Sequence, residues 1–298
     1  MDVRVLVTGA TGFLGRQLVR VLLARGHHVS VVQRDSAAQT LSGADSIVLD
    51  LSQLFDTTQL PLVDVVVTLA QERDFRNFPD MASRTLSVNV TSNVQLWEWA
   101  SRTGVKKLIH ASSGGIYGSG TGLAFTEDTL PPPHAQNSFY LGTKLCSEIA
   151  VRSFIPLFES VIIIRPFFLY GPGQDTDKFV QRLIGHVADD RPITLNYPDG
   201  LRTNPIFVDD AANVFADALT QPGSFTVNCA GKETVTLRDL CDRIGHRLAK
   251  KPRYTLLDEP ATDCIGDTNL QFEKFRPPRT DINTGLDLTI AGSSRLHD

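Results

Sequence analysis

Apolar residues follow two rhythms through the first two-thirds of the chain. Short, nearly continuous runs at Val3–Thr8, Val29–Gln33, Ile47–Leu49, Val63–Leu69, Lys107–Ala111 and Val161–Arg165 have the length of buried strands. Between them the apolar positions take helical spacing. In Phe13–Arg25, residues Leu14, Leu18, Val21 and Leu22 share one face, and Gly26 supplies the stop. Met81–Thr103, ended by Gly104, and Ser138–Phe154, ended near Pro156, read as two longer helices. Strands apolar on both faces, each followed by a helix, predict an α/β protein built on a parallel sheet covered on both sides. The right-handed crossover rule makes that sheet doubly wound, the Rossmann arrangement.

Beyond Arg165 the rhythm loosens. Proline and glycine become frequent, at Pro166, Gly171-Pro172-Gly173, Pro192, Pro198, Gly200 and Pro205, and the elements shorten to Phe179–Ala188, Ala211–Leu219, Phe225–Asn228 and Leu237–Leu248. This predicts a smaller, irregular lobe over the carboxyl ends of the strands, where ligands bind in open α/β sheets. The tail after Gly285 has little pattern and reads as mobile.

Composition narrows the classes. A net charge of -4 over 298 residues gives no nucleic-acid footprint and no polybasic membrane patch. The four cysteines, Cys146, Cys229, Cys241 and Cys264, form no C-x-x-C pair, and the seven histidines are scattered, so neither a disulfide framework nor a metal site is expected. The opening apolar run ends in glycines and reads as a strand, not a signal peptide. No stretch reaches the ~18 apolar residues of a membrane span. A cytoplasmic protein is the expectation.

The chemistry begins where the first strand runs into Gly9-Ala-Thr-Gly12-Phe-Leu-Gly15 and a helix follows. Gly9 permits a tight turn, Gly12 lets backbone approach a pyrophosphate, and Gly15 lets helix pack on strand. The helix N-terminus then offers free N–H groups and its positive dipole end to phosphates. A dinucleotide is the implied ligand, and residues 1–165 the domain that binds it, with 205–222 packing back onto it and 166–298 mainly a substrate lobe. The second strand ends in Gln33-Arg34-Asp35. Gln33 does not repel a 2′-phosphate and Arg34 can pair with one, which tilts the reading to NADP; Asp35 is the residue that would serve NAD. Asp50, after the third strand, is placed either to accept from an adenine amino group or to cap a turn.

Tyr140 and Lys144 are spaced to share a helix face. A phenol titrates near ~10, too high for a base at neutral pH, and a neighbouring ammonium with a positive nicotinamide would lower it. The fifth strand leads into Ser112-Ser113-Gly114-Gly115-Ile116-Tyr117-Gly118, where a serine hydroxyl can share a substrate oxygen with the tyrosine.

Gly9, Gly12, Gly15, Ser113, Tyr140 and Lys144, in this order and spacing, resemble the extended short-chain dehydrogenase/reductase family, and more narrowly its nucleotide-sugar epimerase/dehydratase branch. Asn89, the run Arg165-Pro166-Phe167-Phe168-Leu169-Tyr170-Gly171-Pro172 and the run Asn204 to Asp210 support the resemblance. It implies Ser113 orienting the substrate hydroxyl, Tyr140 as acid/base and Lys144 lowering its pKa. It places Thr11, Phe13, Leu14, Leu51, Leu69, Ala70, Asn89, Ser112, Pro166 and Phe167 beside the cofactor, and Gly114 beside the substrate. Dehydratases and decarboxylases of the branch carry acidic residues where this chain has Gly114-Gly115, which argues against elimination. Epimerases carry an asparagine to the nucleotide diphosphate where this chain has Phe168; Lys178 or Arg202 would have to replace that contact. Reduction of a 4-keto sugar and 4-epimerisation with bound NAD both survive, the former favoured by Gln33-Arg34. A reductase of a non-nucleotide ketone and a non-catalytic dinucleotide sensor are the competing classes. Relatives pair their two long helices in a homodimer, here with Trp97, Trp99, Leu145 and Phe154 as candidates.

Overall fold

A computed structural model describes residues 2–34, 41–120, 122–132 and 138–294. In chain order its elements are β1 (Arg4–Thr8), α1 (Phe13–Ala24), β2 (His28–Gln33), β3 (Asp45–Val48), β4 (Val65–Thr68), α2 (Ala82–Leu86), α3 (Ser92–Arg102), β5 (Lys107–Ala111), α4 (Phe139–Ser153) and β6 (Ser160–Pro166). There follow α5 (Phe179–Ala188), β7 (Ile193–Tyr197), β8 (Arg202–Thr203), α6 (Val208–Asp217), β9 (Phe225–Cys229), β10 (Val235–Thr236), α7 (Leu237–Leu248), β11 (Tyr254–Pro260), β12 (Asp263–Cys264), α8 (Asn269–Lys274) and α9 (Ile282–Ser294). The chain divides into two compact units, Met1–Ile116 with Pro133–Arg165 and Ala212–Val227, and Tyr117–Pro132 with Pro166–Ala211 and Asn228–Asp298.

The first unit is built on a seven-stranded sheet of order β3-β2-β1-β4-β5-β6-β9. β1 pairs in parallel with β2 and β4, and β5 with β4 and β6. The order reverses between β1 and β4, the switch point at which open α/β sheets bind ligands. Leu6, Val66, Leu108 and Val161 are buried within it, packed with Leu96 and Trp97 of α3. Each such side chain contributes about 1.5–3 kcal/mol by leaving water. Lys107, buried at the start of β5, donates from Nζ to the carbonyls of Ala218, Leu219 and Gln221 at 3.0, 2.9 and 2.6 Å, tying the turn after α6 to this unit.

The helix expected over 81–103 is interrupted. Between α2 and α3 lies a π turn, Ser87–Thr91. The cause is local: Asn93 Nδ2 donates to the Asn89 carbonyl at 2.8 Å, so side chains satisfy backbone that a straight helix would pair internally. Trp97 and Trp99 are consumed by the core, Trp97 edge-on to His110 and Phe154, leaving neither on a free helix face.

The second unit holds a three-stranded sheet, β10-β8-β12, and the parallel pair β11-β7. Its core gathers Val180, Ile184, Leu195, Phe207, Leu240 and Ile244. The tail expected to be mobile is α9. Ile282 and Leu286 lie in that core, with Ile290 packed against it, and Asp281 caps the helix by accepting from Thr284 N at 2.9 Å. The spacing of Ile282, Leu286 and Ile290 is the helical signal that the polar residues between them conceal.

Among the described residues no helix is long and apolar enough to cross a membrane, and no group of three or more His, Cys, Asp or Glu is placed to hold a metal ion.

Candidate active site

β1 ends at Gly9, whose φ of +70° belongs to the left-handed region. A Cβ there would stand 2.7 Å from Ala70 N, so only glycine lets this turn lie against the end of β4. Gly12 N donates to Gly9 O at 3.0 Å, and Gly12 caps α1 with no side chain of its own. A Cβ on Gly15 would lie 2.1 Å from Gly9 O, so the helix can pack here only without one. Leu14 is buried beneath the turn, while Thr11 and Phe13 are half-buried above it. The open helix N-terminus and the glycine cradle fit a dinucleotide pyrophosphate. Gln33, at the end of β2, is buried with no partner for Oε1, an orphaned acceptor that a ligand hydroxyl would satisfy. Arg34 is exposed, and Asp35 lies outside the described residues. Asp50 accepts from Ser52 N at 2.9 Å and from Ser52 Oγ at 2.8 Å, which hold its carboxyl below the usual range. It caps that turn, while Leu51 beside it is buried.

The end of β4 connects this turn to the phenol. Leu69 and Ala70 abut Gly9, and the next residue, Gln71, accepts at Oε1 from the Tyr140 hydroxyl at 2.7 Å. The Asn89 amide bridges the same elements: Oδ1 accepts from Glu72 N and Nδ2 donates to Thr143 Oγ1, both at 2.9 Å. Thr143 in turn donates to Tyr140 O at 2.7 Å. The π turn aims Asn89 at α4, a role that sequence spacing did not reveal.

Lys144 is buried, and its Nζ donates to Ala111 O, the last residue of β5, at 3.0 Å. Nζ stands 5.9 Å from the Tyr140 ring centroid. Burial lowers its pKa to about 8. Burial pushes the Tyr140 phenol up, with the Arg76 charge pulling the other way. Ser112 is buried beside Glu148, and Ser113 Oγ accepts from Gly115 N at 3.1 Å. A Cβ on Gly115 would meet Leu141 Cδ2 at 2.9 Å and Ser113 Oγ at 3.3 Å, so Ser113 and Gly114 lie against the helix turn that carries Tyr140. Of the sequence-predicted trio, Lys144 reaches the last residue of β5, Ser113 follows that strand, and the Tyr140 hydroxyl is turned to Gln71 beyond β4.

Behind them is a buried charge cluster that the sequence did not announce. Glu148, one turn beyond Lys144, pairs with Arg165, and with Arg152 at 2.7 Å. Burial raises the Glu148 pKa, but the two guanidiniums outweigh it and hold the group ionised. His110, also buried, shares a hydrogen bond with Thr68 Oγ1 at 2.8 Å; burial lowers its pKa to about 3.

Pro166, Phe167, Phe168, Lys178 and Arg202 belong to the second unit. Phe167 is buried beside Tyr117 and covers Gly266. Phe168 holds a φ of +39°, a conformation that asparagine tolerates far better, and its ring leans on Phe179 at 4.8 Å. Lys178 Nζ is 3.2 Å from Asp177. Arg202 grips Asp263 with two bonds of 2.7 Å, so its charge is already balanced.

The NAD dependent epimerase/dehydratase family model matches residues 5–230. UDP-glucose 4-epimerase of Mycolicibacterium smegmatis is 30% identical over 235 residues, 72% of each chain. The solved structure of MoeE5 in complex with UDP-glucuronic acid and NAD superposes with a TM-score of 0.83 at 25% identity, over 99% of this chain and all of that one. UDP-glucuronic acid 4-epimerase from Bacillus cereus in complex with NAD, at 24% identity and a TM-score of 0.82 over 99% of this chain and all of its own, shares the fold. The chain belongs to the NAD dependent epimerase/dehydratase family and is an enzyme of the extended short-chain dehydrogenase/reductase type.

Proposed function

We propose that this enzyme uses NAD to act at the C4 carbon of a nucleotide-linked sugar, interconverting hydroxyl and ketone there. The observation that carries the reading is that Lys144 Nζ, bonded to the last carbonyl of β5, stands 5.9 Å from the ring of Tyr140, whose hydroxyl is bonded to Gln71, next to the Leu69-Ala70 pair that abuts Gly9. When bound, the nicotinamide supplies and takes back hydride. Gly9, Gly12 and Gly15 with the open end of α1 hold the pyrophosphate, and Gln33 and Asp50 bracket the adenosine side. Ser113 orients the sugar oxygen. Tyr140 exchanges the oxygen-bound proton, and Lys144 steadies the ribose and, while charged, the phenolate.

4-Epimerisation is the reading that the relatives favour, since UDP-sugar 4-epimerases stand among them. NAD follows from the same source; NADP, which Gln33-Arg34 suggests, has no support there. Single 4-keto reduction rests on that strand end alone. Gly114-Gly115 stand where sugar dehydration would need an acid. A homodimer would use exposed side chains such as Ile149 of α4 and Leu86 of α2, not the two tryptophans. The test is twofold. Mass spectrometry of cofactor retained through purification is expected to find NAD. Thermal shift with UDP-glucose, UDP-glucuronic acid and UDP is expected to show stabilisation. Stabilisation by none of the three would favour a non-nucleotide ketone.

A further inference from the structure

The proton-carrying hydroxyl of Tyr140 is engaged within its own unit. It donates to Gln71 Oε1 at 2.7 Å, and Phe75 stacks on the ring with centroids 4.1 Å apart and planes 25° apart. Both partners come from the segment leaving β4, and that segment is pinned. Buried Glu72 accepts from Arg84 Nε at 2.7 Å and from Asp74 N at 3.1 Å, and its N–H binds Asn89. Gln71 itself is exposed. Water would satisfy its amide equally well, so folding does not require it to end on the phenol.

As oriented here the Gln71 amide presents its oxygen, which only accepts, so this bond exists while the phenol keeps its proton and favours that form; a phenolate would need the amide flipped to present Nε2. We propose that Gln71 is a positioning residue for the acid–base step, holding Tyr140 as a neutral phenol ready to give its proton and so favouring the ketone-reducing half of the reaction at neutral pH. In that half the bound cofactor would supply hydride to the carbonyl carbon, and Tyr140, its O–H turned from Gln71 to the substrate oxygen, would give up that proton as the substrate O–H forms and be left as phenolate. The oxidising half needs the phenolate first, and the Gln71 bond opposes it. Two cations face the phenol from other directions and lean the opposite way: Arg76, whose charge reaches it from the same segment, and Lys144 at 5.9 Å from the ring on α4. Burial supports Gln71 by pushing the phenol up. This rests on the reading of Tyr140 as the acid/base.

The experiment places difluorotyrosine, a more acidic phenol, at position 140 and follows its ionisation by fluorine NMR in the NAD-loaded protein. Gln71→Leu is expected to lower the midpoint by about one pH unit, tenfold in ionisation, the scale of one lost hydrogen bond. Gln71→Glu, an acceptor with full charge, is expected to raise it. An unmoved or raised midpoint in Gln71→Leu overturns the proposal, as does an unmoved or lowered one in Gln71→Glu. Because the titration needs no turnover, it decides this point even if every sugar nucleotide proves inert and the functional reading falls. With an active sugar, Gln71→Leu is further expected to shift the acid limb of alcohol oxidation to lower pH in kcat, with KM little changed.

Discussion

Gly15→Ala puts the packing of the dinucleotide turn to a quantitative test. The added methyl would sit 2.1 Å from Gly9 O, 2.7 Å from Ala10 Cα and 2.9 Å from Ala10 C. All three are backbone atoms of the turn itself, so no side chain can swing away, and the turn and helix must separate by about an ångström. Overpacking of this kind costs ~3 kcal/mol, the upper end of its usual range. At 1.4 kcal/mol per decade that is a fall of roughly 150-fold in the folded-to-unfolded ratio. The displaced N-terminus of α1 should also weaken NAD by about tenfold or more. Gly142→Ala is the matched control. Gly142 lies inside α4 with nothing within 4 Å of its missing Cβ, so the same substitution should stabilise the protein, by ~1 kcal/mol of helix propensity. Urea unfolding followed by circular dichroism, with calorimetric titration of NAD, reads both. A Gly15→Ala protein with wild-type midpoint and wild-type NAD affinity would refute the close approach of helix to turn.

Three further outcomes are expected. Tyr140→Phe should lower turnover by ~10³-fold, within the range of general acid–base catalysis, and leave NAD affinity within about twofold, as measured by steady-state kinetics and calorimetry. Stability should decline as pH falls from about 6.5 towards 3, because folded His110, with its pKa lowered to about 3, stays neutral while the unfolded imidazole takes a proton. His110→Gln should make that slope shallower by up to one proton in urea melts across the window, and an unchanged slope would show His110 titrating normally. Glu148→Gln should destabilise by ~3–5 kcal/mol, since it leaves the Arg165 guanidinium, 3% exposed, without its counter-charge; equilibrium unfolding checks it.

The features legible in the sequence are those that depend on local rules. The apolar runs located β1, β2, β4, β5 and β6 because strands buried on both faces admit few polar residues. The glycine turn was readable because each glycine answers a separate steric demand, all three of them against backbone. Tyr140 and Lys144 followed from spacing on one helix. What escaped depends on partners distant in the chain. The π turn at Asn89 accompanies the Asn93 side chain taking the Asn89 carbonyl, which periodicity does not register. Gln71 and Tyr140 are 69 residues apart, and nothing in either neighbourhood announces their bond. Nothing in its own helix announces Glu148, because its partner Arg165 arrives on β6. Trp97 and Trp99, candidates for a dimer face, are core residues because both of the helix faces that carry them are covered. Helix α9 was missed because its apolar positions are diluted by Asn283, Thr284 and Asp287.

The most direct test of the account is NMR of the C4 position during incubation of the purified, NAD-supplemented protein with UDP-glucose or UDP-glucuronic acid. The expected result is appearance of the C4 epimer of at least one of them, with an initial rate about a thousandfold lower for Tyr140→Phe. Persistence of both sugars unchanged under all conditions, or equal conversion by the Tyr140→Phe protein, would contradict it.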